Sequence, residues 1–83
     1  MPRYRIRLIN SEFESVGETD YPSLDAARKA AIATATKVVA ESSAEEAPSV
    51  AVEVQIHEGE TLVARHVVSL SVSDLSGGKR PSG

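Results

Sequence analysis

The sequence predicts a two-layer α+β fold, in which one helix packs on a largely antiparallel sheet of three or four strands in the order β-β-α-β-β. In residues 3–9 and 50–56 apolar side chains recur at every second position, which is the period of a strand with one buried face. An Ala-rich stretch over residues 24–41 has apolar residues at helical spacing. Strands that each have one apolar face need cover on one side only, and one helix provides it.

The first strand, residues 3–9, has two different faces. Its apolar side chains point toward the predicted helix: Tyr4, Ile6 and Leu8. Its other side chains form a basic stripe on the side of the sheet away from the helix: Arg3, Arg5 and Arg7. A two-residue turn at Asn10 and Ser11 would pair Leu8 with Phe13 and Arg7 with Glu14. This pairing predicts a short second strand over residues 12–16.

The helix begins after Tyr21-Pro22-Ser23, because Ser23 can accept a hydrogen bond from a free amide of the first turn and Asp25 lies near the positive end of the helix dipole. We expect the helix to span residues 24–41. Its buried stripe comprises Leu24, Ala27, Ala31, Ala35 and Val38, with Ile32 and Val39 beside it. Because most of this stripe is Ala, the helix can lie close to the sheet, although each contact buries little area.

A second hairpin follows a solvated connection over residues 41–49. Its strands are residues 50–56 and about 60–72. A two-residue turn at Gly59 and Glu60 would place Arg65 opposite Val54, among the core valines. A loop with an odd number of residues, ending in Gly59, instead pairs Val54 with Leu62. The sequence therefore favours the odd loop, with an inward set of Val50, Val52, Val54, Ile56, Leu62, Ala64, His66, Val68, Leu70 and Val72.

The chain of 83 residues is expected to form one domain over residues 1–75, followed by a disordered tail over 76–83 that has no apolar residue. It has no stretch of 18 apolar residues and no apolar region of a signal peptide. It also has no Cys. We therefore expect a soluble cytoplasmic protein without a membrane partner.

Catalytic and metal chemistry have little support in the sequence. There is no Cys, and His57 and His66 are the two histidines, so a metal site lacks ligands. A combination of His66 with Ser69 and Asp74 is expected by chance in a chain with eleven Ser. We expect no enzymatic activity, no cofactor and no metal.

The side of the sheet away from the helix is the candidate interaction face. Its predicted members are Arg3, Arg5, Arg7, Ala51, Glu53, Val63, Arg65 and Val67. The outward valines beside Ala51 form an apolar strip that a second copy could cover, so we expect a homodimer that acts as a non-catalytic interaction or regulatory protein. The alternative is a nucleic-acid or anionic-ligand binding module that uses the Arg3/Arg5/Arg7 stripe. Nucleic acid is disfavoured by the net charge of −3, and the stripe can instead pair with Glu14 and Glu53.

Several segments resemble a family of short uncharacterised bacterial proteins, found mainly in alphaproteobacteria. The segments are the opening Met1-x-Arg3-Tyr4, the helix entry Tyr21-Pro22-x-Leu24-x-Ala26-Ala27-Arg28, the Ala-rich helix, and Val52-x-Val54 before the Gly59 turn. The resemblance implies a free-standing small α+β protein of unknown role, with no catalytic residues to transfer.

Overall fold

The computed structural model describes residues 1–45 and 49–71, with side chains for 1–41 and 50–71. It confirms the α+β fold, since one helix packs on a four-stranded antiparallel sheet in the chain order β-β-α-β-β. The elements are β1 (Arg3–Ile9), β2 (Glu14–Asp20), α1 (Leu24–Glu45), β3 (Ser49–Glu58) and β4 (Thr61–Ser71). The strands lie side by side in the order β2-β1-β3-β4. Strands β2 and β4 are therefore the two edges of the sheet.

The core lies between α1 and the sheet, and α1 packs mainly on β3 and β4. The buried side chains are Tyr4, Leu8, Ala27, Ala31, Ala35, Val39, Val52, Val54 and Ile56. The burial predicted for Tyr4 and Leu8 is thus confirmed, while Ile6 is half-buried. Three of these residues are Ala, so the buried apolar area of the core is small.

The helix begins as predicted, since the backbone N–H of Ala26 donates to Ser23 Oγ at 3.1 Å. Ala27, Ala31, Ala35 and Val39 form its fully buried stripe, and the predicted Leu24 lies at the exposed margin instead. The helix runs to Glu45, four residues beyond the predicted end at residue 41. Residues 42–45 contain no Pro or Gly, so the loss of the apolar pattern there does not end the helix.

The first hairpin differs from the predicted one. Its loop has four residues rather than two, and β2 spans Glu14–Asp20 instead of residues 12–16. Asn10 explains the longer loop, because its Oδ1 accepts hydrogen bonds from the backbone N–H groups of Glu12 at 2.7 Å and Phe13 at 3.0 Å. Arg7 consequently pairs with Val16 rather than with Glu14.

The second hairpin also corrects the prediction. The turn has two residues, Gly59 and Glu60, and Gly59 adopts a φ of +65°. A β-bulge between Ile56 and His57 shifts the pairing by one residue, because Ile56 pairs with Ala64 and the next residue, His57, pairs with Leu62. The shift keeps the apolar side chains of the two strands on the same face of the sheet. Val54 consequently lies opposite His66 rather than Leu62.

The bulge exchanges the roles predicted for two neighbouring residues. Val63 has no partner of its own on β3, and it is half-buried against the core. Leu62 shares the face of His57, away from the helix, and is 45% exposed. The inward position predicted for Leu62 and the outward position predicted for Val63 are therefore both wrong.

The remaining predictions on chain organisation fall partly beyond the described residues. Of the predicted connection over 41–49, residues 41–45 are helical and Ser49 begins β3, while 46–48 lie outside the described residues. Val72 and the predicted tail over 76–83 also lie outside them.

Candidate interaction face

The surface of the sheet opposite α1, termed here the helix-free face, is organised in rows that cross the four strands. Each row contains one residue from each strand, paired through the ladders. One row contains Val16, Arg7, Gln55 and Arg65. Its neighbours contain Glu14, Ile9, Glu53 and Val67 on one side, and Glu18, Arg5, His57 and Leu62 on the other.

A hydrogen-bonded chain of polar side chains links all four strands across the middle of this face. Arg7 Nη2 lies 2.6 Å from Glu14 Oε2, and Arg7 Nη1 donates to Gln55 Oε1 at 3.2 Å. Gln55 Nε2 donates to Glu53 Oε2 at 2.9 Å, and Arg65 Nε donates to the same oxygen at 2.8 Å. The predicted pairing of the basic stripe with Glu14 is thus present, whereas Glu53 binds Arg65 rather than an arginine of the stripe.

This chain changes the acidity of Glu53. The hydrogen bond from Gln55, followed by that from Arg65, holds the pKa of the Glu53 carboxyl below its usual value. On the opposite side of the sheet, burial and the nearby charge of Glu58 raise the pKa of Tyr4. Glu53 is therefore a charged component of the helix-free face at neutral pH, and Tyr4 is a neutral component of the core.

The three arginines of β1 have different partners. Arg3 Nε lies 3.1 Å from Glu18 Oε1, and Arg3 Nη1 lies 3.9 Å from Asp20 Oδ1. Arg7 is bound to Glu14. Among the described side chains, Arg5 forms no ion pair, although Glu18 is its ladder partner. The stripe therefore consists of two paired cations and, between them, a third without a direct carboxylate partner in the described part of the chain.

Exposed apolar side chains lie near both edges of the helix-free face. Val67 on β4 is 69% exposed, and Ala51 beside it on β3 is also exposed. Val16 on β2 is 53% exposed at the opposite edge. The apolar strip predicted on β3 and β4 therefore has a different composition, because Val63 packs against the core and Leu62 lies on this face instead.

The structure brings most of the predicted interaction residues together. The ladders place these on the helix-free face: Arg3, Arg5, Arg7, Ala51, Glu53, Arg65 and Val67. His57 and Leu62 also lie on this face, where they were not predicted. For Leu62 the reason is the bulge, because the alternating pattern does not show where an extra residue is inserted in a strand. A two-residue turn at Gly59 and Glu60, combined with the need to keep Arg65 out of the core, would have indicated a bulge in this hairpin.

Two further features of the described residues concern metal binding and the membrane. In residues 1–41 and 50–71, no group of three or more His, Cys, Asp and Glu side chains could hold a metal ion. Over the same part of the chain, α1 lacks the apolar character that crossing a lipid bilayer requires.

Comparisons with protein families, with curated proteins and with solved structures find no match to this chain. The resemblance to short bacterial proteins therefore stays a prediction. A function has to be argued from the helix-free face and the edges of the sheet.

Proposed function

We propose that this chain is a small non-catalytic interaction or regulatory protein that acts as a homodimer in the cytoplasm, and that two copies pair through β4. The observation that carries the proposal is the character of β4. This edge strand has eleven residues, and Val67 near its middle is 69% exposed. An edge strand presents unpaired backbone N–H and C=O groups that a strand of another chain can bind.

The two edges of the sheet differ in how well they resist such pairing. Strand β2 has three acidic residues among seven: Glu14, Glu18 and Asp20. Two copies of β2 side by side would bring these carboxylates close together, and charged side chains are a common protection of edge strands. Strand β4 contains a single formally charged residue, Arg65, between Thr61 and Ser71. Pairing through β4 therefore meets less electrostatic opposition than pairing through β2.

A twofold axis beside β4 gives a closed assembly. Antiparallel pairing of β4 with its copy joins two four-stranded sheets into one sheet of eight strands, and each copy contributes the same residues. With the axis near Val67, the two Val67 side chains lie close together and shield one another from water. The Glu53–Arg65 pair of each copy then borders this apolar contact as part of a polar rim.

The small core gives dimerisation an energetic benefit. Its buried set includes three Ala, and the largest fully buried side chains are Ile56, Val39, Val52 and Val54. Additional apolar burial stabilises a folded chain by about 25 cal/mol per Å², and a stable interface generally buries roughly 1,000 Å² or more. Folding coupled to association makes the stability rise with protein concentration.

Light scattering on Val67→Asp and Val16→Asp tests the proposal. Both variants place a carboxylate at an exposed valine of the helix-free face, one on β4 and the other on β2. We expect the parent and Val16→Asp to have a mass near twice 8.8 kDa. We expect Val67→Asp to have the monomer mass and a lower melting temperature, because its charge would lie at the interface.

Three results would contradict the proposal. If the parent protein is still a monomer at about 100 μM, the dissociation constant of any dimer is higher than that of a stable complex. If Val67→Asp had the same dimer mass as Val16→Asp, the interface between the two copies would not include β4. Species that grow beyond a dimer would show pairing between unlike edges, β4 with β2, which does not close.

A further inference from the structure

Arg5 differs from the arginines beside it on β1. Arg3 contacts Glu18 and Asp20, and Arg7 contacts Glu14. Arg5 is half-buried between them, and no described side chain is bound to its guanidinium. Glu18 lies opposite Arg5 in the ladder, but its Oε1 is 3.1 Å from Arg3 Nε. Arg5 therefore keeps hydrogen-bond donors that its carboxylate neighbour does not use.

Arg5 lies at a shallow depression at the turn end of β3. The depression has a volume of about 230 Å³ and is lined by Arg3, Arg5, Glu18 and Gly59. Its lining contains two guanidinium groups and one carboxylate, so positive charge is in excess there. Gly59 has no side chain, so the backbone of the turn can approach a bound group closely.

His57 lies beside Arg5, directly across the β1–β3 ladder. Its Nδ1 is enclosed and has no hydrogen-bond partner among the described residues. A buried acceptor without a partner is tolerated better than a buried N–H without one. The lining of the depression does not include His57, so His57 is a neighbour of the site and not one of its ligands.

From this arrangement we infer that Arg5 and the backbone of the Gly59 turn form a binding site for a small oxyanion, namely a phosphate or carboxylate group. The guanidinium presents paired N–H donors whose spacing matches the oxygens of both groups. Glu18 at the rim repels an anion and keeps the site weak. The inference is independent of the proposed dimer, because the dimer contact lies on β4.

Amide and guanidinium chemical shifts measured by NMR during titration with inorganic phosphate test the site. Ionic strength is held constant with chloride, and a parallel titration uses acetate. We expect saturable shifts of the Gly59 amide and the Arg5 Nε–H, with a dissociation constant on the order of 1 mM. The arm that saturates at the lower concentration identifies the preferred oxyanion.

Arg5→Gln and Arg28→Gln are matched variants. Arg28 lies on the exposed side of α1 and forms an ion pair with Asp25. We expect Arg5→Gln to weaken binding about tenfold or more, as loss of a charge-assisted hydrogen bond does, and Arg28→Gln to bind like the parent. Arg5→Lys should recover part of the affinity, because it restores the charge without the paired donors.

The site is refuted if the shifts in both arms rise linearly without saturation, or if Arg5→Gln binds as tightly as the parent. Equal weakening by Arg28→Gln would also refute it, since net charge alone would then control binding. Val67→Asp separates this inference from the proposed function. If that variant is monomeric and still binds, the oxyanion site does not depend on the dimer.

Discussion

Glu53 and Arg65 face each other diagonally across the β3–β4 ladder, where Arg65 Nε donates to Glu53 Oε2 at 2.8 Å. The same carboxylate oxygen accepts a hydrogen bond from Gln55, which also contacts Arg7. Glu53 is thus the acceptor through which the outer strand β4 is joined to the polar chain of the inner strands. Its charge state should affect how firmly β4 is held.

Glu53→Gln should reduce stability at neutral pH and have a smaller effect in acid. The hydrogen bonds from Gln55 and Arg65 hold the pKa of Glu53 below its usual value of 4.5. A carboxyl with a lowered pKa stabilises the folded state above the unfolded value, and this contribution disappears as the pH falls through the folded value. The difference in melting temperature between parent and variant should therefore be largest near pH 7 and shrink below pH 4.5.

Glu60→Gln is the control for this prediction, because Glu60 is exposed in the turn. Circular dichroism melts from pH 7 to pH 3 on all three proteins give the comparison. A gap between parent and Glu53→Gln that stays constant over this range would contradict the linkage.

Apart from Leu62 and Val63 at the bulge, the alternation in the sequence determines which face of the sheet each strand residue occupies, but not which residues pair. Sliding one strand by two residues leaves every side chain on its own face, so apolar matching cannot distinguish such registers. The observed hairpins are selected by local groups instead. Asn10 Oδ1 holds the four-residue loop through two backbone N–H groups, and Gly59 permits the two-residue turn.

Strand β2 was only partly predictable for a related reason. Its residues facing the helix side are small: Ser15, Gly17 and Thr19. Because α1 packs mainly on β3 and β4, no large apolar side chain is needed there, and the alternation that marks a strand is absent. The candidate oxyanion site depends on this register, because the register lets Glu18 bind Arg3 and leaves Arg5 without an ion pair among the described side chains.

Gly59→Ala and Gly17→Ala should change stability in opposite directions. A Cβ at either position meets no atom within 4 Å, so neither variant creates a clash. Gly59 has a φ of +65°, where an L residue is strained, and we expect Gly59→Ala to destabilise the fold by about 1 kcal/mol. Gly17 lies in the extended backbone of β2, and Gly17→Ala should stabilise by about 0.5 kcal/mol through a less flexible unfolded chain.

Urea unfolding at one fixed protein concentration measures both glycine variants. If Gly59→Ala were as stable as Gly17→Ala, the turn would accept an L residue at this φ without strain. That result would remove Gly59 as the residue that determines the two-residue turn.

Ala35→Leu should destabilise the fold far more than Ala33→Leu. Ala35 is fully buried between α1 and the sheet, and Ala33 lies two residues earlier on the exposed side of the same helix. A larger side chain at Ala35 must push α1 away from the sheet, and such overpacking costs about 1–3 kcal/mol. At Ala33 the added atoms enter water, and the change should stay within about 0.5 kcal/mol. Thermal unfolding of the two variants checks this, and equal melting temperatures would mean that the close approach of the helix does not depend on the Ala stripe.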